Sequence, residues 1–425
     1  YTSSLFGIRY ILSDMKKSCL VTLLICTALL CSCSKIENTA DATSVSSTSV
    51  TSEAFSETSS VSETSEETVT EISPEPWEYL LSDGIFAGQY SKAYEKLLTM
   101  SDEEKTGQLL LARCPVGSAA EDAASFHLGG YILFKRNVTG KTPETLSGFI
   151  GEFQSAADIP MICATDEEGG TVVRISGNTA FRSERFPSPS KAYKNGGYEA
   201  IYSDYSEKSK FLMSLGVNLN LAPVADVSVN SSDYIYDRTL GLPAEETAEY
   251  IRNAVTAAKA EGISSCLKHF PGYGNNDDTH TGIAVDERPH ESFSDSDLLP
   301  FEAGIEAGAE TVLVSHNIVN AFDSERPASL SPAVHDLLRN DLDFSGVILT
   351  DDLSMDAITL YCGDQGPYAD AVNAGNDMLI VTDYQAAYND ILSAVKCGYI
   401  SEETLDRAVM RILAWKYTKG LIDSE

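Results

Sequence analysis

Three short stretches of this chain hold residues whose types and spacing suit chemistry on a polar substrate. The first is Asp166-Glu167-Glu168-Gly169-Gly170, with Arg174 beyond it. Three acids directly after the apolar run Pro160–Thr165 are costly unless solvated or engaged, and the two glycines let the backbone approach a ligand closely. Arg174 suits an ion pair or donation to hydroxyls; a turn carrying surface acids is the plainer reading. The second runs from Lys268-His269-Phe270-Pro271-Gly272-Tyr273-Gly274 to Asp278-Thr279-His280. Its Gly- and Pro-rich middle predicts a long loop. Asp278 and His280 are two apart, so in extended backbone both side chains point the same way. A carboxylate beside an imidazole sets its tautomer and raises its pKa, which suits a general acid/base near neutral pH; a satisfied loop histidine is the alternative. The third is Gly346-Val347-Ile348-Leu349-Thr350-Asp351-Asp352-Leu353-Ser354-Met355. Asp351 ends an apolar run, where charge rarely sits without a partner, and Asp352 could instead cap the next helix.

Such residues need a scaffold that gathers them. Apolar strand-like runs occur at Gly130–Phe134, Pro160–Thr165, Val217–Leu221, Ser264–Leu267, Thr311–Val314, Val347–Thr350 and Asp377–Val381. Amphipathic stretches such as Tyr202–Leu215, Glu245–Glu261 and Asp297–Ala309 lie between them, and Glu402–Lys419 reads as a closing helix with no second domain after it. Ser101-Asp102-Glu103-Glu104 has capping-box spacing before Leu109-Leu110-Leu111 and marks a helix start. Strand alternating with helix implies parallel strands and crossover helices. Seven visible strands favour an α/β fold of the (β/α)8 type, a single TIM-like barrel, over an open doubly wound sheet; no GxGxxG follows the first strand. The polar residues fall just after the apolar runs, which places them on the C-terminal face of a barrel, where active sites are built.

The formal net charge of −33 over 425 residues argues against a nucleic-acid partner. Residues 1–14 precede the first plausible start, Met15, and read as an upstream translation artefact. Lys16 and Lys17 with the apolar run Leu20–Leu30 form the positive and apolar regions of a signal peptide. The run ends Leu30-Cys31-Ser32-Cys33, which resembles a bacterial lipoprotein signal lipidated at Cys33 (residues 15–33). Residues 34–76 are rich in Ser, Thr and Glu and are expected to be a disordered tether, with the catalytic barrel over 77–425. The expected location is extracytoplasmic, anchored to the cell membrane. Cys114, Cys163, Cys266, Cys362 and Cys397 show no metal-ligand spacing and predict no disulfide framework; Cys163 and Cys266 read as small core residues. His127, His290 and His335 are expected to be structural or exposed, and His316 to line the pocket without a catalytic role.

The stretch Leu337-Leu338-Arg339-Asn340-Asp341, followed after four residues by Gly346 to Ser354, resembles the active-site signature of glycoside hydrolase family 3. The Lys-His-Phe-Pro-Gly run with its Asp-x-His, and the Asp166 to Arg174 run, are similar to that family's bacterial β-N-acetylglucosaminidase branch. The resemblance extends from about Glu78 to the C-terminus. It implies that Asp351 is the nucleophile of a retaining β-N-acetylhexosaminidase, that His280 is the acid/base and that Asp278 orients it. It also implies that Asp166, Arg174, Lys268, His269 and Arg238 (in Tyr236-Asp237-Arg238-Thr239-Leu240-Gly241) bind sugar hydroxyls. GlcNAc-containing glycans, cell-wall muropeptides among them, are the implied substrate, with no metal or organic cofactor and a chain that works as a monomer. A β-glucosidase or β-xylosidase, a β-GlcNAc phosphorylase and a non-catalytic sugar-binding lipoprotein are the alternatives. Two departures stand out: Tyr273 replaces the branch's usual His, and the loop from Lys268 to His280 is one residue shorter than the common form.

Overall fold

The computed structural model describes residues 84–423 apart from 277, 364 and 365. The expectations for the start site, the signal, Cys33 and the tether fall outside these residues. Strand and helix alternate through β1 (Leu110–Arg113), β2 (Gly130–Leu133), β3 (Ile162–Thr165), β4 (Leu219–Asn220), β5 (Ser264–Phe270), β6 (Val285–Asp286), β7 (Thr311–Val314), β8 (Ile318–Val319), β9 (Val347–Thr350) and β10 (Leu379–Val381). Eight of them form one parallel sheet in the order β10-β1-β2-β3-β4-β5-β7-β9. Its two edges meet, because Leu349 bridges Met378 in parallel and the Thr350 N–H donates to the Met378 carbonyl at 3.2 Å. Closure removes the unpaired edges that an open sheet would expose. The short β6 and β8 pair with each other as a separate ribbon.

All seven expected runs fall on barrel strands; β7 and β9 have the expected bounds, and β5 continues past its run to Phe270. The eighth, β1, comes from the leucines that followed the capping box. That box is formed: the Glu104 N–H donates to Ser101 Oγ at 3.2 Å and the Ser101 N–H donates to the Glu104 carboxylate at 2.8 Å. The helix stops at Gln108, and the leucines enter the barrel, with Leu110 opposite Leu379 and Leu111 opposite Gly130. Three consecutive leucines fit a buried helix and a buried strand equally, so periodicity could not decide between them.

The helices bury one face each against this cylinder. Ala244–Glu261 presents Tyr250, Ile251, Ala254, Val255 and Ala258 inward at helical spacing and ends at Gly262, whose φ of 89° closes the last turn. Glu402–Thr418 buries Leu405, Val409, Ile412, Leu413 and Trp415, each contributing about 1.5–3 kcal/mol of transfer free energy. The Trp415 indole N–H also donates to Ser264 Oγ at 2.9 Å, at the start of β5. Cys163 and Cys266 are fully buried in β3 and β5.

Candidate active site

The C-terminal end of β3 sorts its three acids by side-chain alternation. Asp166 and Glu168 turn into the barrel mouth, whereas Glu167 turns away into the following segment. There its carboxylate accepts the N–H groups of Arg174 at 3.1 Å and Ile175 at 2.9 Å, and the Ser176 hydroxyl. Glu167 therefore shapes the loop that returns Arg174 to the mouth, where Arg174 donates to Asp166 at 3.1 Å. Between the two inward acids sits Lys268, from β5, with its Nζ 2.9 Å from Asp166 and 2.7 Å from Glu168. Glu168 also receives a two-pronged contact from Arg238, at 3.0 and 2.8 Å.

These pairings decide the charge states. Burial alone would raise the Glu168 carboxyl, but Arg238 and Lys268 hold it far below the usual carboxylate range. Asp166 is lowered in the same contest between burial and the charges of Lys268 and Arg174. Burial pulls the Lys268 ammonium down, and the two carboxylates more than reverse this. Asp166, Glu168 and Lys268 thus stabilise one another's charged forms.

His269 is oriented by a residue that sequence reasoning missed. Asp226 is fully buried; it accepts His269 Nδ1 at 2.7 Å, the His269 N–H at 3.2 Å and the Tyr273 N–H at 2.8 Å. Nε2 of His269 lies 3.1 Å from Arg238. A guanidinium can only donate, so Nε2 accepts and Nδ1 carries the proton. The signal was present: Asp226 follows the apolar Val217–Val224 stretch, as the other site acids follow theirs.

Asp351 stands at the end of β9. Its N–H donates to the Val314 carbonyl at 3.0 Å, and its carboxylate accepts the Asp352 N–H at 2.8 Å. Burial would raise this carboxyl, but His316, His269, the Asp352 N–H and Lys268 outweigh it, so Asp351 is held ionised. His316 does not line the cleft as expected. It is buried behind Asp351, where its Nε2 donates to the Asp352 carbonyl at 3.0 Å and its Nδ1 meets Ser329 Oγ at 2.8 Å. Asp352 does not cap the next helix, whose N-cap is Met355; it accepts from Ser354 and Thr382 instead.

The loop after β5 brings Asp278 and His280 to the same mouth. Asp278 Oδ1 accepts the His280 N–H at 3.0 Å and pairs with its Nδ1 at 2.7 Å. The His280 side chain is 59% exposed and that of Asp278 25%, so Nε2 is the atom free to face a ligand. Burial of Asp278 is outweighed by the His280 N–H and ring and by the Tyr234 hydroxyl, which lowers its carboxyl.

All but one of the eight candidate residues line a single cleft of about 590 Å³: Asp166, Arg174, Arg238, Lys268, His269, His280 and Asp351, with Phe134, Tyr234 and Met355 among the other walls. Asp278 stands behind His280. A larger hollow of about 730 Å³ lies at the opposite, N-terminal end of the barrel around Arg339 and Arg411. These two share Asp377 ahead of β10, a position associated with stability rather than chemistry in this architecture. The cleft joins an ionised carboxylate, a solvent-facing imidazole with a carboxylate partner and a fixed array of donors. That set can bind a hydroxyl-rich ring, attack an electrophilic carbon and move a proton.

Comparison with known proteins finds relatives of similar sequence and similar fold. A beta-hexosaminidase of Xanthomonas campestris is 31% identical over 257 residues, which is 60% of this chain and 77% of that protein. One from Methylococcus capsulatus is 34% identical over 276 residues, covering 63% and 79%. The structure of a glycoside hydrolase family 3 beta-N-acetylglucosaminidase from Paenibacillus superposes with a TM-score of 0.70 at 31% identity, over 77% of this chain and 64% of that one. A family 3 glycosyl hydrolase structure from Mycobacterium smegmatis gives 0.68 at 28% identity, over 75% and 98%. The family model described as the glycosyl hydrolase family 3 N terminal domain matches residues 101–415, and with the barrel and its C-terminal cleft in place the chain belongs to glycosyl hydrolase family 3.

Proposed function

We propose that this chain is a retaining exo-β-N-acetylhexosaminidase. The observation that carries the reading is that Asp351 and His280, from separate stretches of sequence, open into one cleft. Asp351 attacks the anomeric carbon, and the bond to the leaving oxygen breaks as His280 Nε2 gives that oxygen its proton. The glycosyl-aspartate is then hydrolysed by a water whose proton returns to His280. Asp278 holds the ring through Nδ1 and stabilises the imidazolium that precedes the first step and re-forms in the second. Lys268, His269, Arg238, Arg174 and Asp166 bind the hydroxyls of the sugar being transferred. The names borne by the Xanthomonas, Methylococcus and Paenibacillus relatives favour a β-linked N-acetylhexosamine as that sugar, with cell-wall muropeptides and related glycans as the natural class. The resemblance of Leu30-Cys31-Ser32-Cys33 to a lipoprotein signal favours work outside the cytoplasm on a membrane anchor.

Most retaining glycosidases place two carboxylates about 5–5.5 Å apart. An imidazole in place of the second one leaves Asp351 without an anionic neighbour across the scissile bond, and an incoming phosphate meets less repulsion. Phosphorolysis is therefore the second reading. Turnover of a chromogenic β-GlcNAc substrate, with products identified with and without phosphate, tests both: free GlcNAc supports hydrolysis and a sugar 1-phosphate supports phosphorolysis. Asp351→Ala is expected to lose roughly 10³-fold or more in kcat. A variant that kept its activity would overturn the nucleophile assignment.

A further inference from the structure

We infer that Tyr273, acting through Thr279, is the residue that positions the His280–Asp278 pair over the cleft. The inference rests on the reading of His280 as the acid/base. Thr279 lies between two solvent-facing residues, yet it is 1% exposed. The backbone here is a turn rather than the extended run expected from the sequence: the Thr281 N–H closes it on the Asp278 carbonyl at 3.0 Å, with the Thr279 side chain inside and that of His280 outside. The Thr279 N–H donates to the Tyr273 hydroxyl at 2.8 Å, and its Oγ1 shares a hydrogen bond with the same hydroxyl at 3.0 Å. Its carbonyl accepts the Ala357 N–H at 3.2 Å, from the helix Asp356–Cys362 that follows Asp351. Every polar group of Thr279 is thereby used, one side facing the loop from β5 and the other the element that carries Asp351.

Tyr273 is itself rigid. It is 3% exposed, and its N–H is held by Asp226 at 2.8 Å. Its ring meets His269 edge-on at 5.7 Å and lies tilted against Tyr234 at 5.8 Å. Gly272, at φ 129°, brings the chain so close to Asp297 that a Cβ would sit 2.5 Å from its Oδ1, so the approach to Tyr273 is fixed too. The Tyr234 hydroxyl completes the set by facing Asp278. A mostly exposed imidazole on a loop would otherwise wander, and misplacing a proton donor by about 1 Å can cost on the order of 10²-fold in rate. Tyr273 is buried and does not line the cleft, so it is a positioning residue.

Tyr273→Phe keeps the ring and removes the hydroxyl. Values of kcat/KM are compared for methyl β-N-acetylglucosaminide, whose leaving group needs a proton, and the 2,4-dinitrophenyl glycoside, whose leaving group does not. The expected result is a fall of roughly 10–100-fold on the methyl substrate and less than about 3-fold on the dinitrophenyl one. Thr279→Val should show the same split more weakly, and Thr279→Ser, which retains both contacts, should match the parent. Thr279→Val carries the test if Tyr273→Phe does not fold. His280→Ala is the reference: equal losses on both substrates would overturn the acid/base reading itself. If His280→Ala gives the split while Tyr273→Phe and Thr279→Val lower both substrates equally, or neither, the positioning role is overturned.

Discussion

Glu168→Gln is the sharpest test of how the cleft is charged. In the parent, Arg174, Lys268 and Arg238 face Asp166, Glu168 and Asp351, three cations against three carboxylates. Glu168 and Lys268 are 1% and 3% exposed, and Arg238 is 14% exposed. Glutamine removes one negative charge and sets an NH2 group against a guanidinium or an ammonium, both of which only donate. Removing one partner of a buried pair costs about 3–5 kcal/mol; Asp166 still holds Lys268, so about 3–4 kcal/mol applies here. At about 2–3 °C per kcal/mol for a large domain, the melting temperature at pH 7 should fall by roughly 6–12 °C. The sign of the pH dependence follows from the lowered Glu168 carboxyl. A depressed folded-state pKa contributes stability that is complete above the unfolded value, about 4.3, and is lost as pH falls through the folded one. The gap between parent and variant should therefore be constant from about pH 5 to 8 and narrow below about pH 4. Thermal melts across that range measure it. A shift under about 2 °C at pH 7, or a gap that stays constant to low pH, would refute the charge argument.

Asp226→Asn replaces one of two acceptor oxygens that serve three N–H groups, leaving a buried donor unpaired at about 1–3 kcal/mol. It should lower kcat/KM roughly 10-fold or more by releasing His269, and the Nδ1–H resonance of His269 should shift or vanish in NMR; an unchanged resonance would refute the tautomer assignment. Lys416 is fully buried with, among the described residues, only the Gln108 amide oxygen, at 2.6 Å, as side-chain partner, and burial lowers its ammonium to about 7. Because the folded chain binds fewer protons there than the unfolded one, stability should rise as pH climbs from about 7 to about 10. Lys416→Met should then stabilise the protein at pH 6 by about 1–3 kcal/mol, after allowing for the orphaned Gln108 oxygen. That advantage should vanish near pH 10, and a lower melting temperature at pH 6 would contradict it.

Much of the architecture was legible because strand ends announce themselves twice, by an apolar run and by the polar residue after it. Val347–Thr350 followed by Asp351 is the clearest case, and Pro160–Thr165 followed by Asp166 is another. What escaped needed partners that lie far away in the chain. Leu110–Arg113 became a strand because β2 and β10 flank it, not because leucine prefers strands. Glu167 and Glu168 look alike in sequence, yet alternation sends one to backbone amides and the other to Lys268. Asp226 and Tyr234 acquire meaning only from His269 and Asp278, dozens of residues on. His316 follows a strand end, as a pocket-lining residue would, yet it is buried away from the cleft, because sequence indicates proximity to a strand end without indicating depth.

The two-sided grip on Thr279 has a further consequence for how this enzyme family can vary. The histidine takes its place from an anchor point at Thr279, so the number of residues between Tyr273 and Thr279 matters less than the anchor itself. Length changes there alter mainly closure entropy, about 0.6 kcal/mol per doubling, while the imidazole keeps its station opposite Asp351. A loop one residue short is thus tolerated in the same way as a shorter rope between two fixed cleats.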